Sequence, residues 1–176
     1  ELVEGLIEND PTNAQYRLVI GTQIYQRVMT LSDSVSTNSD LIYDLRDEDE
    51  ARVEELNAIN EELRGQIDLL TARAEEALIA AADIEPENPM IFNTLGVVYQ
   101  NKAAALFDQR NNTIDNDEAM RLDELAKAEA SLAMENYERA AELDPDNTNY
   151  WESLFRIYTS LGMLEEAEAA MEKAGM

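Results

Sequence analysis

Any chemistry in this chain has to come from oxygen ligands and oxygen acids. The sequence contains no His and no Cys. That removes the commonest general base, the commonest transition-metal ligand, thiol nucleophiles and thiolate metal sites together. It also removes the Glu-x-x-His pairs that a di-iron helical bundle requires. What remains is 38 Asp and Glu residues, and two runs of them invite a metal: Asp47-Glu48-Asp49-Glu50 and Asp115-Asn116-Asp117-Glu118. An EF-hand calcium loop needs alternating ligands, a central Gly and a terminal Glu, and neither run has them. Carboxylates at a helix start are favoured by capping and by the helix dipole, which accounts for both runs without an ion. Paired carboxylates for glycoside hydrolysis would need one acid raised by a cleft, and no such cleft is written into the pattern. The expectation is a protein that is not an enzyme, with no catalytic residue, cofactor or metal.

The charge balance bears on partners. The net charge is −25, and the only lysines are Lys102, Lys127 and Lys173. Such a chain repels nucleic acid and anionic membranes, so the expected partner is a protein or peptide, with no nucleic acid and no membrane insertion. The acid runs along the whole chain rather than gathering in a tail, which fits a halophilic, high-salt interior better than a partner rich in Lys and Arg. No stretch has the apolar length of a membrane span. The chain begins at Glu1 without Met and reads as a piece of a longer protein, so a targeting segment would lie upstream. The compartment, cytoplasmic or periplasmic, is left open.

The elements that would position any site are marked by a recurring phrase. Asp10-Pro11-Thr12-Asn13, Glu85-Pro86-Glu87-Asn88 and Asp144-Pro145-Asp146-Asn147 form an internal repeat. Pro ends the helix before it, and the acid or Asn side chains cap the helix after it. After each phrase, apolar residues recur at helical spacing: Leu18, Ile20 and Ile24; Phe92, Leu95, Val98 and Tyr99; Trp151, Leu154, Phe155 and Tyr158. Before each phrase runs an Ala-rich helix, at 1 to 9, about 47 to 84 and about 118 to 143. The unit is a helical hairpin, with expected tips at Ser36 to Asp40 and Asn111 to Asp117. From Val53, apolar residues at spacings of three and four continue through Leu56, Ile59, Leu63, Ile67, Leu70, Ala74 and Ala77, the seam of a long antiparallel pair. Asn60 beside that seam either fixes its register or faces water.

The last copy, with Trp151, Leu154, Tyr158, Gly162, Ala167, Met171 and Ala174, resembles a complete tetratricopeptide repeat (TPR). The middle copy matches through Phe92, Leu95, Gly96 and Tyr99 on its first helix and Ala133, Tyr137, Ala140 and Pro145 on its second. The first offers Ile20, Gly21 and Ile24, then Ala74, Leu78, Ala81 and Pro86, with Arg17 where a bulky aromatic is usual. The resemblance is to bacterial TPR proteins with elongated helical hairpins. It implies an all-α fold, a short TPR-like superhelix of antiparallel helix pairs with two hairpins lengthened by insertions. One domain over residues 1–176 is expected, with repeats at about 14–84, 89–143 and 148–175.

The resemblance also implies a concave face lined by first helices. The positions carried over are Leu18, Thr22 and Tyr25; Met90, Asn93, Val97 and Gln100; Asn149, Glu152, Arg156 and Thr159. Of these, Tyr25, Asn93, Val97, Gln100, Glu152 and Arg156 are the candidate partner contacts. The Lys and Asn carboxylate clamp of chaperone-tail-binding TPR domains is missing. The function expected is a scaffold or adaptor for a peptide or protein; the alternative is a structural, self-associating element. An apolar edge at Met163, Leu164 and Met171 makes a weak homodimer a further expectation.

Overall fold

The computed structural model describes Gly5 and residues 10–176. The described residues form six helices: α1 (Ala14–Leu45), α2 (Glu50–Ile84), α3 (Pro89–Asn112), α4 (Asn116–Leu143), α5 (Thr148–Leu161) and α6 (Leu164–Ala174). The architecture is all-α and TPR-like, built from antiparallel helix pairs. The helix expected at 1 to 9 lies outside the described residues, Gly5 apart. Two compact units are formed, Glu1–Ala80 and Ala81–Met176.

In the first unit α1 runs against α2. Leu18, Tyr25, Val28 and Leu31 of α1 are buried, as are Leu56, Thr71, Ala74 and Leu78 of α2. Two contacts fix an antiparallel register: a Cβ added at Gly21 would lie 2.7 Å from Leu78 Cγ, and Asn38 Nδ2 donates to Asn60 Oδ1 at 2.9 Å. Asn60 is 2% exposed, so it serves the register and does not face water. At 35 residues, α2 is about 52 Å long.

The first hairpin tip differs from the expected position. Ser36 to Asp40 is helical, and the chain turns at residues 46–49, where the Glu48 and Asp49 N–H groups both donate to Leu45 O. Ser and Thr favour turns because their hydroxyls compete for backbone groups. Here those hydroxyls bond within the helix: Ser34 to Thr30 O, Thr37 to Asp33 O and Ser39 to Val35 O. Asn38, paired with Asn60, then holds the segment against α2. Asp49 Oδ1 accepts from Arg52 N at 3.0 Å, the capping role expected of the acidic run. The second tip falls at residues 113–115, within the expected segment, and Asp115 caps α4 by accepting from Glu118 N at 2.9 Å.

In the second unit α4 packs on both α3 and α5, and α5 packs on α6. Ile91, Leu95, Val98 and Tyr99 of α3 are buried, as are Ala126, Ala130, Ala133, Tyr137 and Ala140 of α4. The run of alanines lets the backbones approach. Gly96 does something more specific: a Cβ there would lie 2.6 Å from the Tyr137 ring, so the glycine makes room for the ring and not for the helix. Tyr150, Leu154, Ile157 and Tyr158 of α5 meet Ala167, Ala170 and Ala174 of α6 in the rest of the core. Gly162 ends α5 at φ 75°, where a side chain would be strained.

The three proline corners share one geometry. Asn13, Asn88 and Asn147 each cap the following helix, accepting from the N–H of Tyr16, Met90 and Asn149. The same amides donate back to Asp10, Glu85 and Asp144. Six residues after each proline, a side chain addresses that proline's carbonyl or is replaced in doing so. Arg17 Nη2 donates to Pro11 O at 3.3 Å, and Trp151 Nε1 donates to Pro145 O at 2.8 Å. Phe92 has no donor to offer. Arg139 of α4 supplies the bond to Pro86 O at 3.2 Å and lies 5.8 Å from the Phe92 ring centroid.

Candidate functional site

The candidate site is the face of α3 and α5 that does not enter the core. On α3 the buried residues Ile91, Leu95 and Val98 point one way, which leaves Met90, Asn93 and Val97 on the opposite face one turn apart. Met90 is 58% exposed, while Asn93 and Val97 are half-buried. On α5 the corresponding ladder is Asn149, Glu152 and Arg156, at the same offsets from Pro145 as the first ladder has from Pro86. Glu152 and Arg156 form an i,i+4 ion pair at 3.8 Å, a solvent-facing contact of small energetic weight. Thr159 is exposed, and its hydroxyl bonds to Phe155 O.

Four of the carried-over positions do not belong to this face. Gln100 Oε1 accepts from the Tyr137 hydroxyl at 2.7 Å. With Gly96 one turn earlier making room for the ring, Gln100 completes the seat of Tyr137. Leu18 and Tyr25 lie in the core of the first unit, at 3% and 7% exposure. Thr22 is half-buried on the same helix. The face is therefore Met90, Asn93 and Val97 on α3 and Asn149, Glu152, Arg156 and Thr159 on α5.

The signature residues are structural in their contacts. Gly21, Ala74 and Ala81 are buried, and Gly21 sits against Leu78 and the Ala74 carbonyl. Leu95, Tyr99, Ala133, Ala140, Leu154, Ala167 and Ala174 are buried in the second unit. The Tyr158 hydroxyl donates to Glu138 at 2.7 Å. Burial, then the adjacent Glu138 carboxylate, raises that phenol well above its ordinary value. Met163 and Met171 at the expected apolar edge are half-buried, and Leu164 is 70% exposed.

Cross-helix cations escaped the sequence reading. Lys173 Nζ lies 3.8 Å from the Trp151 ring centroid, in the same way that Arg139 approaches Phe92. The signal was present: each cation directly precedes a signature alanine, in Arg139-Ala140 and Lys173-Ala174. Lys102 bridges to Glu129 at 3.0 Å between α3 and α4, and Arg110 and Lys127 converge on Asp123. Hydrogen bonds from Lys127 and then Arg110 hold the Asp123 carboxyl below the usual range.

No family model matches the sequence, and no curated protein matches it. Solved structures do match in fold. Two are monomeric mutants of IFIT1, one with Gppp-AAAA (TM-score 0.52) and one with m7Gppp-AAAA in the anti conformation of the cap (TM-score 0.53). In both, the identity is 18% over 98% of this chain and 44% of the other, so the chain spans less than half the length of IFIT1. The exclusion of nucleic acid, drawn from net charge, is corrected by this finding, because the structures that share the fold are complexes with Gppp-AAAA and m7Gppp-AAAA. Net charge sums over the whole molecule, whereas a bound ligand responds to the local surface. Among the described residues no helix is long and apolar enough to cross a membrane. At this level of identity the likeness is one of fold, and the fold is TPR-like.

Proposed function

We propose that this chain is a binding scaffold, without a reaction of its own, that holds a partner polypeptide on the α3 and α5 face. One observation carries the reading. Asn93 and Val97 stand on the side of α3 away from its core residues, and Glu152 and Arg156 stand at the equivalent offsets on α5. Two ladders at one repeat register suit an extended or helical peptide, which is itself periodic. The TPR resemblance supports the same face, since first helices line the concave side of such arrays.

The test is a comparison of the full chain with its Asn93→Ala/Val97→Ala double variant. Both are immobilised and challenged with a native lysate, and folding is monitored by circular dichroism. The expected result is a polypeptide retained by the parent and lost by the folded double variant. Equal retention by both would remove the face from consideration. Labelled Gppp-AAAA, the ligand of the IFIT1 structure, is titrated alongside. Binding that the double variant abolishes would assign the face to a nucleotide ligand instead.

A further inference from the structure

Charge is divided between the two kinds of helix. In the second unit, α3 and α5 together carry five charged residues: Lys102, Asp108, Arg110, Glu152 and Arg156. The partner helices carry many more, eleven on α4 and five on α6. Of these sixteen, twelve are acids, against two acids on α3 and α5. From Pro89 to Asn101 no residue is charged. The first unit has the same division, with five charged residues on α1 and twelve on α2. An acid excess that runs evenly along the sequence is therefore uneven in the fold.

Burial alone does not produce this division. Both α3 and α4 have buried and exposed positions, yet six of the eleven exposed positions of α4 are charged, against only Asp108 among the seven on α3; Met90 at 58% exposure, with Asn93 and Val97 beside it, carries no charge. In a chain with 29% charged residues, a surface cleared of charge is one that can lose its water cheaply, because stripping solvent from an ion is the largest cost of forming a contact. Depletion of charge is also what marks the core of protein interfaces. The α5 ladder itself holds two charges, Glu152 and Arg156, of opposite sign and paired with each other at 3.8 Å, so the face has no net charge.

We infer that the occupant of the α3 and α5 face is an uncharged stretch of polypeptide. It is gripped by carboxamide hydrogen bonds and short apolar contacts, while the acidic α4 and α6 stay in solvent. This rests on the scaffold reading above and adds the chemical class of the partner. Complementarity to a neutral face predicts an affinity that screening leaves nearly untouched.

A random dodecapeptide library is selected on the full chain, and the strongest synthetic binder is titrated by calorimetry. The expected sequences are poor in Asp, Glu, Lys and Arg, and the Kd should change less than about twofold between about 50 mM and about 1 M NaCl. Val97→Lys and the isosteric Asn93→Asp should each weaken binding by about tenfold, since each leaves a charge to be desolvated. Glu135→Gln on α4 should leave binding unchanged. Selected peptides rich in Lys and Arg, bound through Glu135 and released by salt, would overturn the neutral-ligand inference and leave the scaffold reading standing. Peptides whose binding neither Val97→Lys nor Asn93→Asp alters would overturn both. Competition by Gppp-AAAA for the same face, with loss at high salt, would overturn the neutral ligand in favour of an anionic one.

Discussion

Gly96 lies directly beneath the ring of Tyr137, close enough that a single added methyl would sit 2.6 Å from two ring carbons. The obstacle is a buried aromatic ring whose hydroxyl is tied to Gln100, so it has little room to yield. Gly96→Ala should therefore destabilise the second unit by about 1–3 kcal/mol through overpacking. Urea unfolding of Gly96→Ala, Tyr137→Leu and the double variant checks it. The two effects should be strongly non-additive, because the smaller residue at 137 vacates the space the methyl needs.

The single tryptophan reports on its own corner. Lys173 stands 3.8 Å from the Trp151 ring centroid, and the indole N–H is bonded to Pro145 O. Lys173→Ala should change the intensity of Trp fluorescence and cost about 0.5–1 kcal/mol. Trp151→Phe should cost more, since it also removes the bond to the proline carbonyl. Equal stability of Lys173→Ala and the parent would show that the cation contributes nothing.

Asn38 and Asn60 place a polar pair in the apolar seam of the first unit. Asn60→Ala should lower the melting temperature, because it leaves a cavity and removes Asn38's partner. Replacing both with Leu should raise it, since neither polar group then needs satisfying. Thermal melts of the two variants decide the matter, and a double variant less stable than Asn60→Ala would refute the account.

Asp123 gives a pH dependence with a definite sign. Its carboxyl is depressed by hydrogen bonds from Lys127 and Arg110. A group whose folded pKa lies below its unfolded value stabilises the fold above the unfolded value, about 3.9 for Asp, and that stability fades as pH falls through the folded value. The parent should out-melt Asp123→Asn at pH 7, and the gap should narrow as the pH is lowered below the unfolded value of about 3.9.

The acid excess also predicts a salt response of the protein itself. With twelve acids against four cations on α4 and α6, self-repulsion opposes folding and is relieved by screening. The melting temperature should climb between dilute buffer and about 1 M NaCl. A flat curve would mean that repulsion on these helices is already balanced.

The sequence made the corners and stripes readable because they are local. Proline, a capping Asn and an acid three residues back specify each turn within a few bonds. The apolar spacing after it places Leu95 and Leu154 in the core without knowledge of anything distant. Ser36 to Asp40 has the composition of a turn and is nonetheless helical. Whether it turns is decided by Asn60, which is 21 residues away from Ser39. Tyr25 holds the position of a partner contact only by analogy, and its burial follows from how α2 lies against α1. Arg17 looked like a departure from the aromatic pattern, yet it makes the same bond to the turn carbonyl that Trp151 makes. A guanidinium and an indole N–H are interchangeable donors there, an equivalence that letters alone conceal.

That corner bond bears on how such a chain tolerates change. At Pro11 and Pro145 the closure is made by residues only six positions away, so these two bends need nothing from the far end of their hairpins. Growth or loss of whole helical turns at the tips is then neutral to the bends. The middle bend is tied to Arg139, 53 residues downstream of Pro86. Insertions at residues 113–115 are free only as long as they bring Arg139 back to the same place, so that hairpin can lengthen by matched amounts on both arms and not on one.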